Sequence, residues 1–136
     1  MEKFKVLIAD DESEIRSLLG IYVKAAGFEV LEAETGDTAF AHVESEFPAI
    51  IISDIRMPHG TGIELLRRLR HVTYPETLYP NNFRPHIYIM TGLIEQNESY
   101  LSALGARRVY LKPFDFSKTV DEIVRSWNSY LSSQSG

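Results

Sequence analysis

Short apolar runs alternate along the chain with segments whose apolar positions recur at helical spacing. Residues 12–26 show the helical pattern, because their apolar side chains lie three or four positions apart and therefore share one face. Residues 49–53 are instead almost continuously apolar, which is typical of a strand covered on both faces in a parallel sheet. The alternation predicts repeated β/α units.

Five strands and five helices are predicted in strict alternation. The predicted strands are residues 4–9, 28–33, 49–53, 87–90 and 108–111. The predicted helices are residues 12–26, 35–46, 62–70, 94–104 and 115–131. Five such units imply an α/β fold, a doubly wound parallel sheet with helices on both faces.

The predicted elements form one domain over residues 1–131, followed by a short polar tail at residues 132–136. The connection at residues 71–85, hereafter the insertion, is unusually long for a link between a helix and a strand. A tolerated surface loop is one interpretation, because added loop length costs little free energy. A functional segment is the alternative.

Side chains with useful chemistry follow the predicted strands. Asp10 and Asp11 follow the first strand, Asp54 follows the third, Thr91 the fourth and Lys112 the fifth. In an open parallel sheet, ligands bind beyond the carboxyl ends of the strands, so these residues are expected to meet at one edge. Each alone could be a helix cap, a turn residue or a solvated loop residue. Their common placement favours a functional site.

Three carboxylates held close together repel one another unless a cation lies between them. A hard divalent ion such as Mg²⁺ suits an all-oxygen site. Asp54 could then attack a phosphoryl group as a nucleophile and form an acyl phosphate, while Thr91 and Lys112 contact the phosphoryl oxygens. Phosphoryl transfer depends mainly on positioning and charge stabilisation, which these residues could supply.

The motifs around these positions resemble the receiver domain of bacterial two-component response regulators. The matching motifs are VLIADD at residues 6–11, SDIRMP at 53–58, Gly62, MTG at 90–92 and YLKPF at 110–114. The resemblance runs from about residue 3 to residue 131 and implies the flavodoxin-like receiver fold with strand order 2-1-3-4-5.

The resemblance also implies roles for single residues. It makes Asp54 the phosphoacceptor and places Asp10, Asp11, Asp54 and the backbone carbonyl of Arg56 around Mg²⁺, for which Mn²⁺ could substitute. The implied donor is a histidine kinase or a histidine phosphotransfer protein. The protein is therefore expected to act as a self-phosphorylating and self-dephosphorylating switch rather than as a conventional turnover enzyme.

The same resemblance implies a conformational switch. Thr91 and Lys112 would contact the phosphoryl group, and Tyr110 matches the aromatic residue that moves with Thr91. The Lys112–Pro113 peptide bond matches a bond that is usually cis in the family. The fourth helix, fifth strand and fifth helix would then form a surface for a downstream protein or a second copy. Its expected exposed residues include Tyr100, Arg107 and Arg108, while Trp127 is more suited to the core.

The composition narrows the alternatives. A net charge of −5 argues against nonspecific nucleic-acid binding. A DNA-binding subfamily of response regulators usually has acidic residues before its fifth strand, where this chain has Arg107 and Arg108. The salt-bridged dimer of that subfamily is therefore not implied for this chain. No apolar stretch approaches the roughly 20 residues that cross a bilayer, so no membrane association is expected. The absence of cysteine excludes disulfides and suits a cytoplasmic protein.

Two rival functions share some of these features. A phosphatase of the haloacid dehalogenase type also uses an aspartyl nucleophile, but its second Asp would fall where Arg56 lies. A degenerate receiver that binds partners without phosphorylation is the other alternative. The four histidines show no metal-ligand spacing and are predicted to be surface or loop residues; they are His42, His59, His71 and His86.

Overall fold

The computed structural model describes residues 3–92 and 98–135. Its centre is a five-stranded parallel sheet with the order β2-β1-β3-β4-β5. The strands are β1 Lys5–Ala9, β2 Glu29–Ala33, β3 Ile50–Asp54, β4 His86–Thr91 and β5 Ala106–Leu111. The helices are α1 Ser13–Ala25, α2 Gly36–Glu46, α3 Gly62–Leu69, α4 Glu98–Ala103 and α5 Phe116–Ser135. The predicted fold class and strand order are confirmed.

The layers follow from the strand order. The chain moves in one direction from β1 to β2 and in the other direction for every later crossover. Because such crossovers are right-handed, α1 covers one face while α2, α3 and α4 cover the other. In agreement, α1 packs against α5, and α2 packs against α3. Burial on both sides explains why all five residues of β3 are buried.

Most differences from the predicted elements are at their ends. Strand β5 begins two residues earlier than predicted, at Ala106, and α5 continues beyond Leu131 to Ser135. The first predicted residues of the fourth helix, 94–97, lie outside the described residues. None of the helices within the described ranges is long and apolar enough to cross a bilayer.

The insertion packs against the amino-terminal edge of the sheet. Tyr74 is 4% exposed, and its hydroxyl donates to the carbonyl of Pro48 at 2.6 Å. The hydroxyl of Tyr79 donates to the carbonyl of Phe47, also at 2.6 Å. Phe83 is buried between these rings and Trp127. The segment therefore carries its own apolar side chains and extends the core.

The prediction for His86 is wrong. His86 is the first residue of β4 and is 3% exposed, with its ring packed edge-on against Trp127 and Tyr130. Its Nε2 lies 3.1 Å from Nη2 of Arg107. Burial here depends on aromatic residues distant in sequence, so the local pattern around His86 could not reveal it. Of the other three histidines, His59 and His71 are exposed, as predicted, while His42 on α2 is half-buried with its Nε2 3.0 Å from the carbonyl of Glu32.

Candidate functional site

The carboxyl ends of the strands bring together the residues that the sequence singled out. Lys112, just after β5, donates from Nζ to Oδ2 of Asp10 at 2.8 Å and to Oδ2 of Asp54 at 3.1 Å. Asp10 is fully buried and Asp54 is 7% exposed. Thr91, the last residue of β4, is also buried, and its carbonyl accepts from the backbone N–H of Lys112 at 2.7 Å.

Asp10 is fixed by its surroundings rather than acting as a helix cap. Its Oδ1 accepts from the backbone N–H of Glu12 at 2.8 Å, which makes a local turn before α1. The N-cap residue of α1 is Glu12, and no side chain caps that helix. The guanidinium of Arg16 donates to the carbonyl of Asp10 at 2.7 Å and so links α1 to the loop that follows β1. The simple capping alternative is therefore not observed for Asp10.

Asp11 lies beside this cluster but is exposed. Carboxylate oxygens of Asp10, Asp11 and Glu12 all lie within 4.8 Å of one another. Glu12 was not among the predicted ligands, although its place in the same acidic run was a signal for it. The structure thus places a third acidic side chain beside the two that the sequence singled out.

Burial and charge act against each other at this site. Burial raises the pKa of the Asp54 carboxyl above its ordinary value, although the hydrogen bond and charge of Lys112 act in the opposite direction. Burial also opposes the charged form of Lys112, but Asp10 and Asp54 outweigh it and raise the pKa of the ammonium. One ammonium thus neutralises only part of the charge of two buried carboxylates.

The donor set fits a hard divalent cation. Among the described residues, Oδ1 of Asp54 accepts only a long contact, 3.4 Å, from the backbone N–H of Arg56, so its lone pairs are largely available there. Asp11 makes no ion pair within the described part of the chain. Carboxylate and carbonyl oxygens are the ligands that Mg²⁺ prefers. The residues present therefore fit the ion that the resemblance implies, with Asp10, Asp11, Asp54 and the Arg56 carbonyl as its expected ligands.

Two glycines hold the loop after Asp54 in place. A side chain on Gly62 would collide with the backbone carbonyl of Asp54, and its N–H donates to the carbonyl of Ile55 at 2.8 Å. A side chain on Gly36 would collide with the carbonyl of Gly60 in the same loop. These close backbone approaches explain why only glycine fits there. They allow α3 to begin directly beside the Asp54 backbone.

The candidate switch residue Tyr110 has its side chain turned inward. It is 8% exposed, and its hydroxyl donates to Oε2 of Glu122 at 3.0 Å. Arg108 donates to the same oxygen at 3.1 Å. Burial and then Glu122 raise the pKa of the Tyr110 phenol. Glu122 lies on α5 and carried no sequence signal, because its partners come from another element.

Several smaller predictions are confirmed. The Lys112–Pro113 bond is cis. Trp127 is in the core at 1% exposure, while Tyr100 is 37% exposed and both Arg107 and Arg108 are exposed. His59, near the loop after Asp54, is exposed, and its carbonyl accepts from the backbone N–H of Asp37 at 2.9 Å.

Comparison with known proteins agrees with this geometry. Residues 6–124 match the model of the response regulator receiver domain. The chain is 33% identical over 128 residues to sporulation initiation phosphotransferase F of Bacillus subtilis, covering 93% of each protein. It is 42% identical over 109 residues to the phosphate regulon transcriptional regulatory protein PhoB of Pseudomonas aeruginosa, covering 80% of this chain.

The solved structure of the chemotaxis response regulator CheY4 of Vibrio cholerae superposes with a TM-score of 0.73 at 28% identity, covering 91% of this chain and 98% of that one. The chain spans only 45% of the PhoB protein and 42% of the related regulator PhoP of Bacillus subtilis. The family match covers most of the chain, so this protein belongs to the response regulator receiver family of two-component signal transduction.

Proposed function

We propose that the chain accepts a phosphoryl group on Asp54 from a histidine kinase or a histidine phosphotransfer protein. An Asp54 carboxylate oxygen attacks phosphorus, the phosphorus–nitrogen bond to the donor imidazole breaks, and the electron pair remains on that nitrogen. The product is an acyl phosphate. The observation that carries the proposal is the ammonium of Lys112, which bridges Asp10 and Asp54 and can move onto a phosphoryl oxygen.

Partial neutralisation suits this chemistry. Because Lys112 offsets only part of the negative charge, the site has affinity for a further cation, and bound Mg²⁺ or Mn²⁺ would supply positive charge against the phosphoryl oxygens. Asp10 and Asp11 would hold that cation beside Asp54. The chain provides the nucleophile and the positioning, which supports a switch rather than a conventional turnover enzyme.

Labelling with a small phosphodonor such as acetyl phosphate tests the proposal. Wild type should gain one acid-labile phosphoryl group in the presence of Mg²⁺, and Asp54→Asn should gain none, because an amide is not a nucleophile here. Asp121→Asn, an exposed carboxylate on α5, is the matched control and should label normally. Equal labelling of Asp54→Asn would refute the assignment. An unlabelled wild type would favour the degenerate receiver.

The donor protein must approach the edge that contains Asp54. Helix α1 starts directly after the acidic loop and exposes apolar side chains, with Leu18 at 43%, Ile21 at 62% and Tyr22 at 39% exposure. We assign this face to the donor protein. Ile21→Glu should slow transfer from a phosphorylated histidine donor but leave labelling by acetyl phosphate unchanged. Leu78→Glu, at an equally exposed site on the insertion, should alter neither reaction.

The output surface is proposed to be α4, β5 and α5. Phosphorylation would draw the Thr91 hydroxyl toward Asp54 and change the packing of Tyr110, and a downstream protein or a second copy would bind the altered face. The gain in binding is limited by the free-energy difference between the two states. Nucleic acid and membranes are not expected partners, and the cytoplasm is the expected location.

Amide resonances in α4, β5 and α5 report this coupling when beryllofluoride mimics the phosphoryl group. Wild type should show shifts across that face. Thr91→Ala should still accept the mimic but lose the distant shifts. Shifts confined to the loops around Asp54 and Lys112 in wild type would place the output surface elsewhere, with the insertion as the next candidate.

A further inference from the structure

A groove of about 740 Å³ lies between α3, the end of the insertion and the turn from α4 to β5. It lies away from the phosphoacceptor edge, because that turn and the start of β4 are at the amino-terminal edge of the sheet. Apolar side chains form its floor, chiefly Leu66, Leu69 and Ile87. Cationic side chains form its rim, namely Arg67, Arg70 and Arg84, with His71 beside them. We call this feature the cationic groove.

The rim arginines have no carboxylate partner within the described residues. Arg67 donates to the hydroxyl of Tyr100, and Arg84 donates to the carbonyls of Leu69 at 3.3 Å and Arg70 at 2.9 Å. Arg70 makes no hydrogen bond or ion pair through its side chain in that part of the chain. No acidic side chain is among the described residues that line the groove.

Some arginines elsewhere on this acidic chain have carboxylate partners. Three of them form ion pairs with carboxylates: Arg16 with Glu32, Arg68 with Asp37 and Arg108 with Glu122. The chain has a net charge of −5, so acidic side chains are plentiful for such pairs. Because no acidic side chain is among the described lining residues, the arginines of the cationic groove concentrate positive potential at one concave surface.

We propose that the cationic groove binds an acidic peptide segment of a partner protein, one that has apolar side chains between its carboxylates. The carboxylates would pair with the fork-shaped guanidinium groups on the rim, and the apolar side chains would cover the floor. Arg84 is already oriented by its two carbonyl partners, so little side-chain freedom is lost when it binds. This binding does not depend on phosphorylation of Asp54 and adds a third partner surface to the two of the proposed function.

The residues that line the cationic groove favour a peptide ligand over a nucleic acid. Single-stranded nucleic acids bind through aromatic rings on which bases stack, together with cationic groups along the backbone. Apart from the imidazole of His71 at the rim, no aromatic side chain is among the described residues that line the cationic groove. The floor instead offers aliphatic side chains, which match the apolar side chains of a peptide.

A titration monitored by amide resonances tests the inference on the full chain. The probe is a short synthetic peptide in which glutamates alternate with leucines. It should cause saturable shifts in the second half of α3 and around Ile87 and Gly105. Arg70→Glu should weaken binding about tenfold, because a charge reversal replaces attraction with repulsion. Ala103→Glu, which adds a carboxylate on the opposite wall, should weaken binding similarly.

Two controls distinguish a site from general attraction. Arg125→Glu makes the same charge change at an exposed position on α5 and should leave the affinity within about twofold. A peptide with lysines in place of the glutamates should not bind. Equal loss in Arg125→Glu and Arg70→Glu, the absence of saturable shifts, or tighter binding of a single-stranded oligonucleotide at the same residues would each overturn the proposal.

Discussion

Removing the titratable group at His86 should make the fold less sensitive to mild acid. The imidazole is buried in the aromatic cluster at the amino-terminal edge, and its Nδ1 has no hydrogen-bond partner among the described residues. Burial, followed by the positive charge of Arg107, lowers the pKa of His86 to about 4. The folded state therefore holds this side chain neutral at pH values where the unfolded chain would protonate it.

The direction of the pH dependence follows from this difference. Between the unfolded pKa of about 6.5 and the folded pKa of about 4, the unfolded state binds more protons, so stability decreases as the pH falls. Integration of that difference gives a loss of about 2 kcal/mol between pH 7 and pH 5 from His86 alone. Above pH 7 this contribution is nearly constant, and well below pH 4 it changes no further.

Urea denaturation of wild type and His86→Phe at pH 7, 6 and 5 isolates this contribution, because all other titratable side chains are the same in both proteins. Phenylalanine keeps an aromatic ring in the cluster and removes the buried nitrogen atoms. Wild type should lose about 2 kcal/mol more than His86→Phe over this range. His71→Gln, at an exposed position just after α3, should behave like wild type. Parallel losses in wild type and His86→Phe would refute the reasoning.

Three further outcomes follow from single contacts. Glu122→Ala should leave the buried hydroxyl of Tyr110 without its acceptor, at a cost of about 1 kcal/mol, and aromatic resonances should show the ring partly outward. Asp11→Asn should leave the melting temperature without metal unchanged or slightly higher, while raising the Mg²⁺ concentration needed for stabilisation. Tyr74→Phe should lose the bond to Pro48 and about 1 kcal/mol in urea denaturation, with labelling of Asp54 unchanged.

The candidate site at the carboxyl edge of the sheet could be predicted because the relevant signals are local. A buried parallel strand is an apolar run, and the residue that follows the run must lie at the carboxyl edge. That reasoning located Asp10, Asp54, Thr91 and Lys112 without knowledge of the packing. Each side chain needed only its own strand to be identified correctly, so errors of one or two residues at helix ends did not matter.

Contacts between distant elements could not be predicted in this way. His86 is buried by Trp127 and Tyr130 of α5, and Tyr110 is held by Glu122, also of α5. Neither contact is visible in the pattern of apolar and polar residues around the side chains that make it. The insertion shows the same limit, because its composition suggested a loop, and only the packed fold shows which of its rings are in the core.

The position of the insertion in the topology limits what it can do. In a parallel sheet, connections from strand to helix lie at the carboxyl edge, and connections from helix to strand lie at the opposite edge. The insertion links α3 to β4 and therefore lies at the amino-terminal edge, far from Asp54. Added length there can build a new partner surface, such as the proposed cationic groove with Arg84, without disturbing the candidate site at the carboxyl edge. Any influence of that surface on Asp54 would pass through elements that reach from one edge of the sheet to the other, such as α3, β4 and β5.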